Sequence, residues 1–319
     1  MAAHEKKIIA VVGATGAQGG GLVRAILADP NGPFRVRALT RDPDSEKGQA
    51  LATGGAEVVV ADLDDERSLE RAFAGAYGAF CLTNFFEHFS PEKELAQAEN
   101  MAQAAKTAKL QHVIWSTLED TRRWVPLSDD RMPTLQGKYK VPHFDAKGEA
   151  DELFRREGVP TTLLLTSFYW ENLIHAGSGP QRMPDGSLAL VFPMDDRKLP
   201  AIAVDDIGKA AYAIFKRGKE FIGKTVGIAG ENLSGAELAA AMSRALGQPI
   251  GYVNVAPEVF RGFGFPAADD LGNMFQFMRD FNDDFRGARD LGFSRNLVPD
   301  MQTFEQWLGR HKREIPIPA

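Results

Sequence analysis

An apolar run, Ile8-Ile9-Ala10-Val11-Val12, leads through Gly13, Gly16 and Gly19 into a stretch with Leu22, Val23, Ile26 and Leu27 at helical spacing. Nothing else in the chain constrains its fold as strongly. The pattern predicts a strand, a glycine turn and a helix over 20–28. Each glycine has a physical reason. Gly13 permits the tight turn where the strand ends. Gly16 lets the backbone approach a pyrophosphate with no Cβ in the way. Gly19 lets the helix pack closely on the sheet. Ala14, Thr15, Ala17 and Gln18 complete the turn. The pyrophosphate would rest on backbone N–H groups at the positive end of the helix. A glycine turn of purely structural purpose is the competing reading, and the strand before and helix after favour the dinucleotide site.

Strand-like segments recur at 7–12, 34–40, 57–61, 79–83, 112–116 and 161–166. Helical stretches separate them, most clearly 91–108, with Ser90 as N-cap and Pro91 at the first helical position. Such alternation predicts an α/β fold, a Rossmann-type doubly wound parallel sheet with helices on both faces. The second half differs. Pro184-Asp185-Gly186 precedes a short strand at 187–192, residues 202–208 read as a strand end capped into a helix, and 225–229 is another short strand. Capping boxes open helices at Ser234–Glu237 and Thr303–Gln306. This suggests a smaller mixed α/β C-terminal lobe. The expected partition is 1–168 and 198–230 for the dinucleotide domain, 169–197 and 231–319 for the lobe. The stretch 118–142, with Pro126, Pro133 and Pro142, reads as a lid, a binding loop or a disordered insertion.

Composition narrows the setting. The net charge of −6 offers no global field for nucleic acid. The single cysteine, Cys81, precludes an internal disulfide and suits a reducing compartment. It lies in an apolar strand, where a buried inert thiol is expected. The amino terminus has no signal-peptide core and no run could span a bilayer, so a cytoplasmic protein without membrane contact is expected. His4, His88, His112, His143, His175 and His311 show no metal-ligand spacing, and no metal is expected.

The end of the second strand chooses the cofactor. An acid there bonds the ribose 2′-hydroxyl of NAD; arginine accommodates the 2′-phosphate of NADP. Here the strand ends Thr40-Arg41, with Asp42 one residue late. This favours NADP(H), against the reading of Arg41 as an ordinary surface cation. Asp62 could bond the adenine amino group or cap a helix. Thr83 and Asn84, ending the fourth strand, are candidate contacts to ribose and phosphates. The superfamily that uses such a fold with Tyr-x-x-x-Lys places both side chains on one helix face. The matching stretch, His143-Phe144-Asp145-Ala146-Lys147, keeps the lysine and has histidine for the tyrosine. Lys147 is thus a candidate for the nicotinamide ribose and for catalysis. His143 could move a proton near neutral pH, or simply start a helix; no acid partner is evident. Ser116 and Thr117 occupy the region of the superfamily's serine. Tyr169-Trp170-Glu171-Asn172 could wall the nicotinamide ring or form an internal aromatic cluster.

The string Gly13-Ala14-Thr15-Gly16-Ala17-Gln18-Gly19-Gly20 has GxxGxxG spacing and resembles the NmrA-like family, an atypical branch of the short-chain dehydrogenase/reductases. Thr40-Arg41, Thr83-Asn84, His143 to Glu149, Tyr169 to Leu173 and Gly264 to Phe275 match as well, so the resemblance runs from Ile8 to about Leu308. It implies an NADP(H)-binding fold with contacts from Gly13 to Gln18, Arg41, Asp62, Leu63, Thr83, Asn84, Phe85, Lys147 and Tyr169 to Asn172. It also implies two functional classes. One senses cofactor redox state and signals to a regulatory protein partner with little or no turnover. The other is an NADPH-dependent oxidoreductase, quinone- or isoflavone-reductase-like, acting on a small quinone or carbonyl substrate. Lacking the tyrosine, this chain is expected in the first class. A homodimer is compatible with either. The chain departs from the family's sensor branch in its 118–142 stretch and in Ala96, where that branch has lysine.

Overall fold

The computed structural model describes residues 5–318. His4 and the start of the amino terminus read for a leader lie outside the described residues. Two compact units are formed, one from residues 5–119, 146–165 and 204–226, the other from 120–145, 166–203 and 227–318.

The first unit is built on a sheet. Its strands are β1 (Lys7–Val11), β2 (Phe34–Thr40), β3 (Glu57–Val60), β4 (Gly78–Cys81), β5 (His112–Thr117) and β6 (Thr161–Leu165). Thr225–Gly227 adds a seventh strand beside β6, and the order across the sheet is Thr225–Gly227, β6, β5, β4, β1, β2, β3. The pairs among β1 to β6 are all parallel. The strand order reverses between β1 and β4, which makes this the doubly wound Rossmann arrangement. Ligands in such sheets bind at the carboxyl ends of the strands beside that reversal. The apolar runs follow from burial on both faces: β4, β5 and β6 are buried at every residue. Cys81 lies there, fully buried, and burial pushes its thiol far above the usual range.

Helices α1 (Ala17–Leu27), α2 (Glu46–Thr53), α3 (Glu66–Phe73) and α4 (Pro91–Thr107) connect the strands. Helix α1 begins three residues earlier than its apolar spacing suggests, directly after Gly16. Glycines also govern its packing. A Cβ on Gly21 would meet the Val204 carbonyl oxygen at 2.8 Å, and one on Gly208 would overlap the Gly21 backbone, so α1 lies against Val204–Arg217 almost backbone to backbone.

The second unit holds two three-stranded sheets. One is Glu231–Leu233, Leu199–Ile202 and Phe168–Tyr169; the other is Gly251–Asn254, Leu188–Phe192 and Gln181–Arg182. Both capping boxes form as their sequences require, at Ser234–Glu237 and at Thr303–Gln306. The stretch 118–142 is largely part of this unit, not of the sheet unit, and it is folded. Asp145 is fully buried and accepts from the Thr121 N–H (2.7 Å) and hydroxyl (2.6 Å), the Lys140 N–H (2.7 Å) and the Val141 N–H (3.0 Å). Burial pushes its carboxyl above the usual range while those donors oppose the shift. Asn273 donates to the Pro133 carbonyl (2.9 Å) and Gln276 to that of Arg131 (2.8 Å). The prolines thus mark an irregular path held by long-range bonds, with no regular strand or long helix to signal it.

Candidate dinucleotide site

At the end of β1 the three glycines do different work. Gly13 has φ +62°, a conformation that L side chains rarely adopt. A Cβ on Gly19 would overlap the Gly13 carbonyl, so only glycine allows α1 to start there. Gly16 is under neither constraint: a Cβ there would meet the Gly13 oxygen at 3.2 Å, tight but tolerable. Gly16 is the N-cap of α1 and, without a side chain, caps none of the first-turn N–H groups. The fold demands glycine less strictly here than at Gly13 or Gly19, and a bare backbone at this helix end would let a ligand approach its N–H groups. This cradle fits a pyrophosphate.

Thr40 and Arg41 stand at the end of β2. The Thr40 hydroxyl accepts from the Asp42 N–H at 3.2 Å. Asp42 points its Oδ1 into its own turn, accepting from the N–H groups of Asp44 (3.0 Å) and Ser45 (3.1 Å). The acid beside Arg41 is therefore committed to starting α2. Arg41 Nη1 instead pairs with Glu87 Oε1 at 2.5 Å. At the end of β3, Asp62 accepts from the Asp64 N–H at 3.0 Å, and the Leu63 carbonyl accepts from Asn100 at 2.8 Å. Asp62 is exposed and serves the turn, while the N-cap of α3 is Asp65. After β4 come buried Thr83, exposed Asn84 and buried Phe85, the last opening a short helical turn, Phe85–Glu87.

Helix α5 (Pro142–Arg156) carries Lys147. Its ammonium donates to the Thr83 carbonyl (3.0 Å) and hydroxyl (2.7 Å) and pairs with Glu94 Oε1 (2.7 Å). An ammonium has three donors, and here each has an acceptor. The Thr83 hydroxyl passes its own proton to Glu94. Glu94 is 0% exposed, with its Oε2 lying 3.5 Å from His88 Nε2. The Ser90 N–H donates to His88 Nδ1 at 3.1 Å, so the neutral ring carries its proton on Nε2, the atom near Glu94. Glu94 and His88 are not singled out by the sequence. Glu94 reads there as an ordinary first-turn acid on α4. Ser116 donates to Gln18 Oε1 at 2.8 Å, and Thr117 to Asp151 at 2.6 Å. Thr117 also lies 3.1 Å from the Lys147 carbonyl oxygen, to which its hydroxyl can donate.

In the second unit, His143 does have an acid partner, correcting the expectation from sequence. Its Nδ1 lies 2.7 Å from Asp270 Oδ1, and both side chains are buried. The partner escapes a local reading because it is 127 positions away. Tyr169 to Asn172 divide their roles. Trp170 is 1% exposed and packs on Phe304 and Trp307, with ring centroids 5.4 and 6.1 Å apart. Glu171 accepts from Trp307 Nε1 at 2.9 Å. Tyr169 is half-buried on its strand, and Asn172 starts the helix Asn172–His175. Trp170 and Glu171 thus belong to an internal aromatic cluster.

The model of the NmrA-like family matches residues 5–308. The chain is 30% identical over 288 residues to the NmrA-like family domain-containing oxidoreductase FrzB of Cladobotryum sp, covering 85% of this chain and 83% of that one. Among solved structures, NmrA, a negative transcriptional regulator, in complex with NADP superposes with a TM-score of 0.77 at 26% identity, covering 96% and 95% of the two chains. NmrA with NAD gives a TM-score of 0.78 at the same identity and coverage. The NADPH-dependent quinone oxidoreductase QOR2 of Escherichia coli shares the fold, with a TM-score of 0.72 at 22% identity over 94% of this chain and 98% of that one.

Proposed function

This chain belongs to the NmrA-like family, and we propose that it binds NADP(H) in its first unit and acts as a redox-state sensor or regulator with little or no turnover. The Gly13–Gly19 turn holds the pyrophosphate on the first-turn N–H groups of α1. Arg41 takes the 2′-phosphate through a charge-assisted fork, with Thr40 beside it. Asp62, Leu63, Thr83, Asn84 and Phe85 line the strand ends, and Lys147 takes the nicotinamide ribose by exchanging one of its three present acceptors for a ribose hydroxyl. NADP(H) supplies hydride chemistry when bound; these residues bind and orient.

The observation that carries the sensor reading is the state of Lys147. Its three donors are taken by Thr83 and Glu94, and the position four residues before it is histidine, not a tyrosine whose phenol it could activate. A lysine so engaged anchors; it does not tune a proton donor. The His143–Asp270 contact favours a second reading, an oxidoreductase. An aspartate on Nδ1 fixes an imidazole's orientation and tautomer, which is what a group that hands on a proton needs. NADPH oxidation by the pure protein against a panel of quinones and aldehydes separates the two. Binding without oxidation is expected; steady turnover selects the oxidoreductase.

A further inference from the structure

The pair between Arg41 and Glu87 has a topological meaning. Arg41 follows β2 and Glu87 closes the turn after β4, while β1 lies between those two strands. The pair therefore links the strands flanking β1, on the carboxyl side where the glycine turn begins. Both members are open to water, with side chains 67% and 47% exposed. Asp42, the nearer acid, holds its Oδ1 in the turn before α2. Glu87 is thus the carboxylate that faces the Arg41 guanidinium.

We propose that Glu87 is a specificity-determining residue for the cofactor. It is the counter-ion that Arg41 must leave to receive a 2′-phosphate, and it sets how strongly NADP(H) is preferred over NAD(H). The proposal rests on the reading of Arg41 as the phosphate ligand. Two effects act in the same direction. The exposed ion pair must be broken, and a carboxylate remains close to a phosphate dianion. NAD(H) has no such phosphate, so it neither needs Arg41 released nor meets that repulsion. Glu87 therefore weakens NADP(H) binding selectively and narrows the gap between the two cofactors.

The test is calorimetric titration of the full chain with NADP+ and with NAD+, in wild type, Glu87→Gln, Arg41→Ala and the double variant. Glu87→Gln is isosteric and exposed, so the fold should survive; an unchanged melting temperature checks this. The variant should bind NADP+ about three- to tenfold tighter and NAD+ within about twofold of wild type. In the Arg41→Ala background the gain should disappear. Weaker NADP+ binding by Glu87→Gln, or equal changes for both cofactors, overturns the role of Glu87. If Arg41→Ala leaves the wild-type ratio of affinities unchanged, the reading of Arg41 itself fails, and the proposal with it. These failures are distinguishable because the second appears without any change at Glu87.

Discussion

The glycine turn and the Arg41 corner stand at the carboxyl ends of neighbouring strands, and they are made of opposite materials. The turn is backbone. Its form is imposed by a positive φ at Gly13 and by the close approach at Gly19. The corner is two exposed side chains holding each other through water-accessible charge. A backbone cradle admits almost no substitution at Gly13 and Gly19, yet says little about which dinucleotide it would hold. A side-chain corner tolerates change and, on the proposed reading, carries the discrimination. On that reading, the site is rigid where all such ligands are alike and adjustable where they differ.

The harshest way to break this contrast is within the turn. Gly19→Ala should cost more than about 4 kcal/mol, because the clash is with fixed backbone, and its urea midpoint should fall steeply or the protein should fail to fold. Gly16→Val should keep the fold while NADPH binding vanishes, since the crowding falls mainly on the ligand. Normal NADPH affinity in Gly16→Val would move the pyrophosphate elsewhere.

Lys147 tests whether a buried side chain behaves like the turn. Lys147→Ala leaves Glu94 buried without its lysine, with only the Thr83 hydroxyl and the His88 ring beside it, so a stability loss of up to about 3–5 kcal/mol is expected, together with weaker cofactor binding. Lys147→Met with Glu94→Gln should recover much of the stability without the binding. Equal stability of Lys147→Ala and wild type in urea would mean that the buried pair is not formed.

Binding titrations need a pH range in which the sheet itself is constant, and His112 defines it. The His112 ring is fully buried in β5. Thr162 gives its own proton to the Phe221 carbonyl (2.8 Å), so it accepts from His112 Nε2 (2.8 Å), leaving Nδ1 unprotonated. Burial lowers this histidine from 6.5 to about 4. The unfolded chain then binds the extra proton first on acidification. Stability from this group is fully present above about pH 6.5 and falls through the window down to about pH 4, by roughly 3 kcal/mol at most. Urea midpoints across that range should show the loss in wild type and a shallower one in His112→Gln. An equal slope in both would assign the loss to other groups.

The smallest expected effect lies at the corner. Arg41→Ala should weaken NADP(H) by about 1.5–3 kcal/mol, roughly ten- to a hundredfold, while leaving NAD(H) nearly unchanged. Wild type should prefer NADP(H) by at least about tenfold. Equal wild-type affinities in calorimetry would remove the discriminating role of the corner.

Much of the first unit can be read directly from the residues. Apolar runs of four or five and glycines at turn positions act through neighbours in the chain, and strands and turn follow from them, as the caps of the second unit follow from its S-x-x-E and T-x-x-Q boxes. The amphipathic spacing placed the start of α1 late, because it cannot see that Gly16 is the cap. The stretch 118–142 shows a deeper limit. Its order comes from Asp145, Asn273 and Gln276 satisfying backbone groups, and no local pattern announces such bonds.

The same division runs through the candidate site. Sequence alone determined the cradle, the identity of the cation after β2, and the histidine standing where a tyrosine would be, since backbone sterics and side-chain chemistry are properties of the residues themselves. Tertiary structure decided what each charge faces: Glu87 for Arg41, Glu94 for Lys147, Asp270 for His143. A charge's partner depends on which strand ends and helices the fold brings within a few ångströms, and the alternation of strands and helices leaves that distance open until the sheet order is known.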